Sequence, residues 1–395
     1  MAAVTFSSFA GSNDDPTRYR RISICNILVK HDNEKFADEI EKQFLKIPVS
    51  EQYNDHNLSV RVVNTDLKKM KDDDEITAFV KRNHLGSRLA GKWFNRNLLD
   101  GTCNMDLVKS RGLYDASSFD YEMAQRSARG KALLEDAGED LIGNTYLLMH
   151  EITYVDKAKR SKTWGMIGAI ALGALTAAGG GSSQQISNVM NSTNNLISSY
   201  KGFAVKVHTR LYRLKWDDET SNRFYNEFYA ATPNPEIAKK FEENRDKFKL
   251  EYVGDVISKG GRTSFLGIRE EEPELMIRKA CQRALDENVS ELQKKYDQFR
   301  IKSPVVSVSP TITVNIGLKE GVSPESKYEV LEAQEKDGKT VYKRIAVIKP
   351  VPNLIWDNRF MAQEELAYGA NFGATTFTKV SGGEIIPGYL VRQIE

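Results

Sequence analysis

The apolar positions near the start of the chain change period twice. Ile22, Ile24, Ile27 and Val29 form a compact apolar run, and Phe36, Ile40, Phe44 and Ile47 then recur at helical spacing until Pro48. The pattern predicts a strand followed by a helix. Leu58, Val60, Val62 and Val63 predict a second strand after a polar loop over 50–57, so the chain opens on a strand, helix, strand unit. Residues 75–83 carry helical periodicity, whereas the turn-rich stretch that follows, with Trp93, Cys103 and Tyr114, predicts no firm order. An alanine-rich helix over 124–141, closed by Gly143, leads into a bulky β-prone strand over 146–154.

A matching strand is predicted over 203–216, from the alternation Phe203, Val205, Val207, Thr209, Leu211 and a shift of phase before Tyr212, Leu214 and Trp216. The two strands are expected to pair as a long hairpin. Residues 224–248, rich in aromatics and charge, predict a surface turn leading into a helix. The strongest helix runs over 274–299, where Ile277, Cys281, Ala284, Leu285, Leu292, Tyr296 and Phe299 share a face. After Pro304 the character changes to short β-prone runs at 312–316, 328–332, 342–348 and 389–394, which predict a small barrel or sandwich. The fold class is therefore α+β. A three-layer α/β domain over 22–300 carries a helical-hairpin insertion over 157–201, and a small β-domain over 301–395 follows.

The insertion breaks the pattern of the whole chain. From 163 to 200 there is no Asp, Glu, Lys, Arg or His, although 28% of all residues are Asp, Glu, Lys or Arg, which by chance would place about ten there. Lys157, Lys159, Arg160 and Lys162 stand immediately before it and Lys201 immediately after. Gly165, Ala169, Gly173, Ala177 and Gly181 align small side chains along one helical ridge, the pattern that lets helices approach closely. Met166, Ile167, Ile170, Leu172 and Leu175 cover the other faces, so such a helix is apolar nearly all round. Its 18 positions over 164–181 reach about 27 Å, just short of a hydrocarbon core of about 30 Å. Ile186, Val189, Met190, Thr193, Leu196, Ile197 and Tyr200 then predict an amphipathic, uncharged helix. Three coverings fit this hairpin: copies of itself, a membrane, or the body of the protein. A core helix or a mobile glycine-rich loop is the plainer alternative.

Composition narrows the rest. At 395 residues the chain is long enough for two or three domains, and a formal charge of +2 supplies no field that would attract nucleic acid. Cys25, Cys103 and Cys281 are too few for a disulfide scaffold and too far apart for a CxxC site, which leaves open one bridge and one free thiol. The small, apolar start and the run Ser8, Phe9, Ala10 resemble the end of an export signal cleaved before Gly11, with a frayed cytosolic terminus as the alternative. Residues 1–21 are read as a residual signal and a flexible terminus.

No catalytic constellation stands out. His31, His56, His84, His150 and His208 form no HExxH or His/Cys cluster, so neither a metal nor a cofactor is expected. His150 and His208 lie on the two strands expected to pair, where they could meet, but a pair of histidines in a sheet is more often structural and neither is given a role. No GxSxG elbow, phosphate loop or dinucleotide fingerprint is present. The acidic run Glu270, Glu271, Glu272, Glu274 reads as a helix N-terminal complement to the macrodipole.

The passage from Ala132 through Leu141, Gly143 and Asn144 into Tyr146 and Ile152 resembles the α/β domain of curli secretion channel subunits over about 22–299. That family also inserts membrane-active segments between strands, as β-hairpins rather than glycine-rich helices. The stretch VNIGLKEGVSPESKYEV, from Val314 to Val330, resembles the small C-terminal β-domain of flagellar assembly protein T. Both resemblances imply a non-enzymatic assembly protein of the cell envelope, located in the periplasm or at the outer membrane, with a membrane surface, a homo-oligomer or other envelope proteins as partners. The rival readings are a periplasmic binding module whose insertion packs on its own body, and a hydrolase with an unrecognised site.

Overall fold

A computed structural model of the chain describes residues 21–32, 34–64, 73–116, 118–155, 204–262, 273–336, 339–362 and 373–394. Strand β1 (Ser23–Lys30) leads into helix α1 (Ala37–Lys46), which buries Ile40 and Phe44 and ends just before Pro48, where the ring would clash with the preceding turn. The next pairing partner of β1 is a strand in two pieces. β2 (Asn54–Asp55) lies parallel to its start, and β3 (Val62–Asn64) lies parallel to its end. Between them the Asn57 side chain substitutes for the missing ladder, its Oδ1 accepting from Asn26 N at 2.7 Å. Half of this second strand therefore falls in the region expected to be a polar loop, and the apolar Leu58 and Val60 lie between its two paired pieces rather than in either.

On the other side of β1, strand β4 (Thr145–Tyr154) runs parallel to it, and β5 (Ala204–Leu214) and β6 (Leu250–Arg262) follow in antiparallel order. The sheet order is β2/β3, β1, β4, β5, β6. The pairing of β4 with β5 is the expected long hairpin, and its register runs without interruption from Tyr146↔Arg213 to Tyr154↔Val205. The phase shift expected before Tyr212 is thus absent. Both faces of β5 are covered, so Val205, Val207 and Leu211 fill the core on one face while Tyr212 and Leu214 fill that on the other. The irregularities lie instead in the pairing of β5 with β6, where register shifts fall between Val205 and Val207 and between Leu211 and Tyr212.

Helices cover the two faces. On one lie α2 (Asp73–Arg82), α3 (Leu85–Trp93), α4 (Asp106–Tyr114), α5 (Ser118–Arg126) and α6 (Lys131–Asp136), with α7 (Asp218–Glu227) and α8 (Pro235–Glu243). Trp93, Phe94, Phe224, Phe228, Phe241 and Phe248 form one aromatic core there, with Phe94 stacked on Phe224 at 4.2 Å between centroids. The aromatics of 224–248 are therefore interior rather than a surface turn. The single helix expected over 124–141 is broken into α5, α6 and a 3₁₀ turn (Glu139–Asn144), because Gly130 takes a positive φ of 53° and Gly138 lies where α6 meets α4. A Cβ on Gly138 would lie 2.1 Å from the Val108 carbonyl oxygen. Gly138→Ala is expected to cost about 2–3 kcal/mol in chemical denaturation, whereas Gly373→Ala, which meets nothing within 4 Å among the described residues, changes little.

Helix α9 (Pro273–Lys295) covers the opposite face together with α1, burying Ile277, Ala280, Cys281, Ala284, Leu285 and Leu292. Pro273 at its first position needs no hydrogen-bond partner, and Glu274 pairs with Lys42 and Lys46 of α1. The helix ends at Lys295, and Phe299 continues the buried face from a 3₁₀ turn (Asp297–Phe299). The molecule is α+β with a three-layer first body, and its second body is a closed six-stranded barrel.

The barrel comprises β7 (Ser303–Ser307), β8 (Ile312–Val314), β9 (Tyr328–Lys336), β10 (Lys339–Pro350), β11 (Thr375–Gly382) and β12 (Leu390–Gln393), closed in the order β10, β11, β8, β7, β12, β9. Of the two architectures expected, the barrel is the one formed. Register shifts on both sides of β10, at Arg344/Ala346 and Val347/Ile348, bend the longest hairpin and permit closure. Strands β7 and β11 fall outside the four expected runs.

Candidate functional site

The residues singled out in the sequence share one point of attachment. Gly165, Ala169, Gly173, Ala177, Gly181, Ile186, Val189 and Leu196, and the basic flank Lys157, Lys159, Arg160 and Lys162, lie outside the described residues. So does the acidic run Glu270 to Glu272. The described residues on either side of their segment are Val155 and Ala204, joined by a hydrogen bond from Val155 N to Ala204 O at 2.8 Å. The segment is therefore spliced into the tip of the central hairpin, at the C-terminal end of the parallel strands β1 and β4.

Alternation gives that end of the sheet two unlike faces. On the α1 side, Ile152 and Val205 join the apolar core, and Tyr154 meets Phe36 edge to face at 4.8 Å. The Lys35 ammonium lies 5.0 and 5.1 Å from the two ring centroids. Phe36 holds a φ of 64°, a left-handed conformation that a residue with a large side chain adopts only when its surroundings fix it.

On the other face, residues from four strands or their ends make a transverse row of charge. Glu151 Oε1 accepts from His31 Nε2 at 2.8 Å, its Oε2 meets His208 Nδ1 at 3.4 Å and pairs with Arg210, and His208 Nε2 meets Asp255 Oδ2 at 2.8 Å. Strand register explains the meeting, since Glu151 stands opposite His208 and Arg210 opposite Asp255. Arg210 is 2% exposed. Burial works to raise the Glu151 carboxyl, but hydrogen bonds from His208, His31 and Arg210 outweigh it and hold the group far below the usual carboxylate range. The same bond to Glu151 raises His31 above its ordinary value despite opposing desolvation. Burial likewise works to raise Asp255, and His208 reverses the shift.

A carboxylate whose two oxygens are taken by three donors has little capacity left to accept a substrate proton. The row is a clamp across β1, β4, β5 and β6, four residue pairs inside the Val155–Ala204 end of the hairpin. Among the described residues no group of three or more His, Cys, Asp or Glu is arranged to hold a metal ion. Nor is any helix among them long and apolar enough to cross a membrane.

His150 and His208 do not meet, because neighbouring strand positions of opposite parity face opposite sides. His150 is buried on the α1 side against Thr209 Oγ1 and Asn26 Oδ1, and burial lowers it to about 3. Cys25, Cys103 and Cys281 are all free and buried, so the bridge left open by the sequence is absent. The clamp was missed because its members are scattered over more than two hundred positions. Its one visible signal is a charged residue, Glu151 or Arg210, interrupting an apolar strand.

No protein-family model matches this chain, and neither does any curated protein. The fold defines a mixed-sheet α/β body joined to a closed β-barrel.

Proposed function

We propose that this protein is a non-enzymatic assembly component of the cell envelope, which docks onto a membrane or onto another copy of itself through residues 163–200. The observation that carries the reading is that a stretch of 38 residues without ionisable groups lies between the hydrogen-bonded ends of the central hairpin, whose strands are clamped by charge four pairs further in. A segment of that composition gains by leaving water, at about 25 cal/mol per Å² of apolar surface covered. A rigid base directs where it is presented. The envelope placement rests on the signal-like residues 1–10 and on the two family resemblances.

Because Val155 and Ala204 are already paired, residues 156–203 can be replaced by an Asn-Gly turn without disturbing the register. The shortened protein is expected to keep its circular dichroism and melting temperature while losing membrane pelleting or falling to monomeric mass. Gly173→Leu separates the two modes, since it obstructs close helix packing but increases partition into lipid. Pelleting and particle mass unchanged by the replacement refute the proposal.

A further inference from the structure

A second feature stands apart from the hairpin tip. Helix α9 and the loop at 48–52 face the barrel across a cleft of about 630 Å³, within the range of small-molecule sites. Gln282 and Asp286 stand one turn apart on α9 and line it. Gln282 is 8% exposed, and neither its Oε1 nor Asp286 Oδ2 has a hydrogen-bond partner among the described residues. Buried acceptors without donors cost free energy, on the order of 1–3 kcal/mol each, and their persistence on one wall of a cleft marks a place where donors are supplied from outside.

The barrel side contributes a third acceptor. Glu320 Oε2 is occupied by Gly317 N at 2.7 Å and Asn358 Nδ2 at 2.6 Å, while Oε1 accepts no such bond among the described residues. The wall holding it is rigid. A Cβ on Gly317 would lie 2.2 Å from the Trp356 carbonyl oxygen, Lys319 N donates to Asn358 Oδ1 at 2.8 Å, and Arg283 fixes α9 to Phe360 O at 2.9 Å. The nearby cations make no hydrogen bond to these acceptors. Arg359 is engaged by Asp357, Arg283 reaches Phe360 O, and Lys319 lines the cleft without a hydrogen bond to Asp286.

We infer that this cleft binds a primary alkylammonium group on Gln282, Asp286 and Glu320, presented either by a small free amine or by a lysine side chain of a partner protein. Three acceptors lining one cleft match in number the three N–H donors of an ammonium. An ammonium ion pairs with ionised Asp286 and favours that form in a desolvated setting, whereas a neutral hydroxyl gains no ion pair. Burial raises the Asp286 carboxyl to about 7, with the Lys319 and Arg283 charges opposing it only in part.

Calorimetric titration of the full-length protein with cadaverine, with an acetylated and amidated lysine tripeptide, and with pentanediol tests the assignment. Either amine is expected to bind with a Kd of about 1 mM or tighter, and the diol much more weakly. Tighter binding of the tripeptide assigns the site to a partner lysine, and tighter binding of cadaverine to a free amine. Asp286→Asn is expected to weaken the amine by roughly tenfold or more, and Lys319→Met, which removes a competing cation, to tighten it. Absence of heat from both amines, equal binding of the diol, or unchanged affinity in Asp286→Asn overturns the inference.

Discussion

Arg210→Met is expected to lower stability by about 3–5 kcal/mol near pH 8, the cost of leaving a buried carboxylate without its principal counter-charge. Arg210 lies 2% exposed on the central hairpin and pairs with Glu151, which is itself largely buried. The double variant Arg210→Met, Glu151→Met should lose much less, because an apolar pair of similar size replaces a buried ion pair at little cost. The single variant also acquires a pH dependence of defined sign. His31, raised by Glu151, becomes a compensating cation, so its contribution is complete below its unfolded value of about 6.5 and is lost as pH rises through the higher folded value. Denaturant unfolding near pH 5 and pH 8 should therefore show a smaller deficit at the lower pH. A single variant within about 0.5 kcal/mol of the parent at both values would show that the row of charge is not a clamp.

The second large effect has the opposite direction. Asp286→Asn should stabilise the empty protein by about 1–3 kcal/mol near pH 8 and by nothing below about pH 4. Burial raises the Asp286 carboxyl from 3.8 to about 7, with Lys319 and Arg283 opposing and Glu320 adding. Between those values the folded protein holds a proton that the unfolded chain has released, so stability falls as pH rises through this window and is level beyond it. The amide cannot ionise and escapes that loss. Thermal melts of parent and variant across the window check it, and a gain independent of pH would place the cause elsewhere.

Elements whose apolar residues follow a single period were legible in the sequence. β1, α1, β4, β5 and α9 were expected close to where they form, since each shows a buried face strong enough to set its own period. β6 was not anticipated, because Gly254, Asp255, Lys259, Gly260 and Gly261 break its alternation. What holds it is the ladder to β5, which local pattern does not encode. The run 124–141 misled for the opposite reason. Its alanines and leucines satisfy helical periodicity throughout, yet the crossing of α4 and α6 requires Gly112 and Gly138 to approach backbone atoms closely, and the helix yields to that contact. The charged clamp and the cleft acceptors depend on register and on the meeting of two bodies, neither of which one stretch of sequence specifies.

Phe299 has a mechanical consequence. Only seven residues separate the end of α9 from the first barrel strand. In that span Phe299 is driven into the first body, stacked on Tyr53 at 5.8 Å and edge to face with Tyr146 at 5.1 Å. The junction is thus a bolt rather than a tether. A tug on the barrel is handed directly to the central sheet, and swivelling one body against the other would first have to draw an aromatic ring out of its socket.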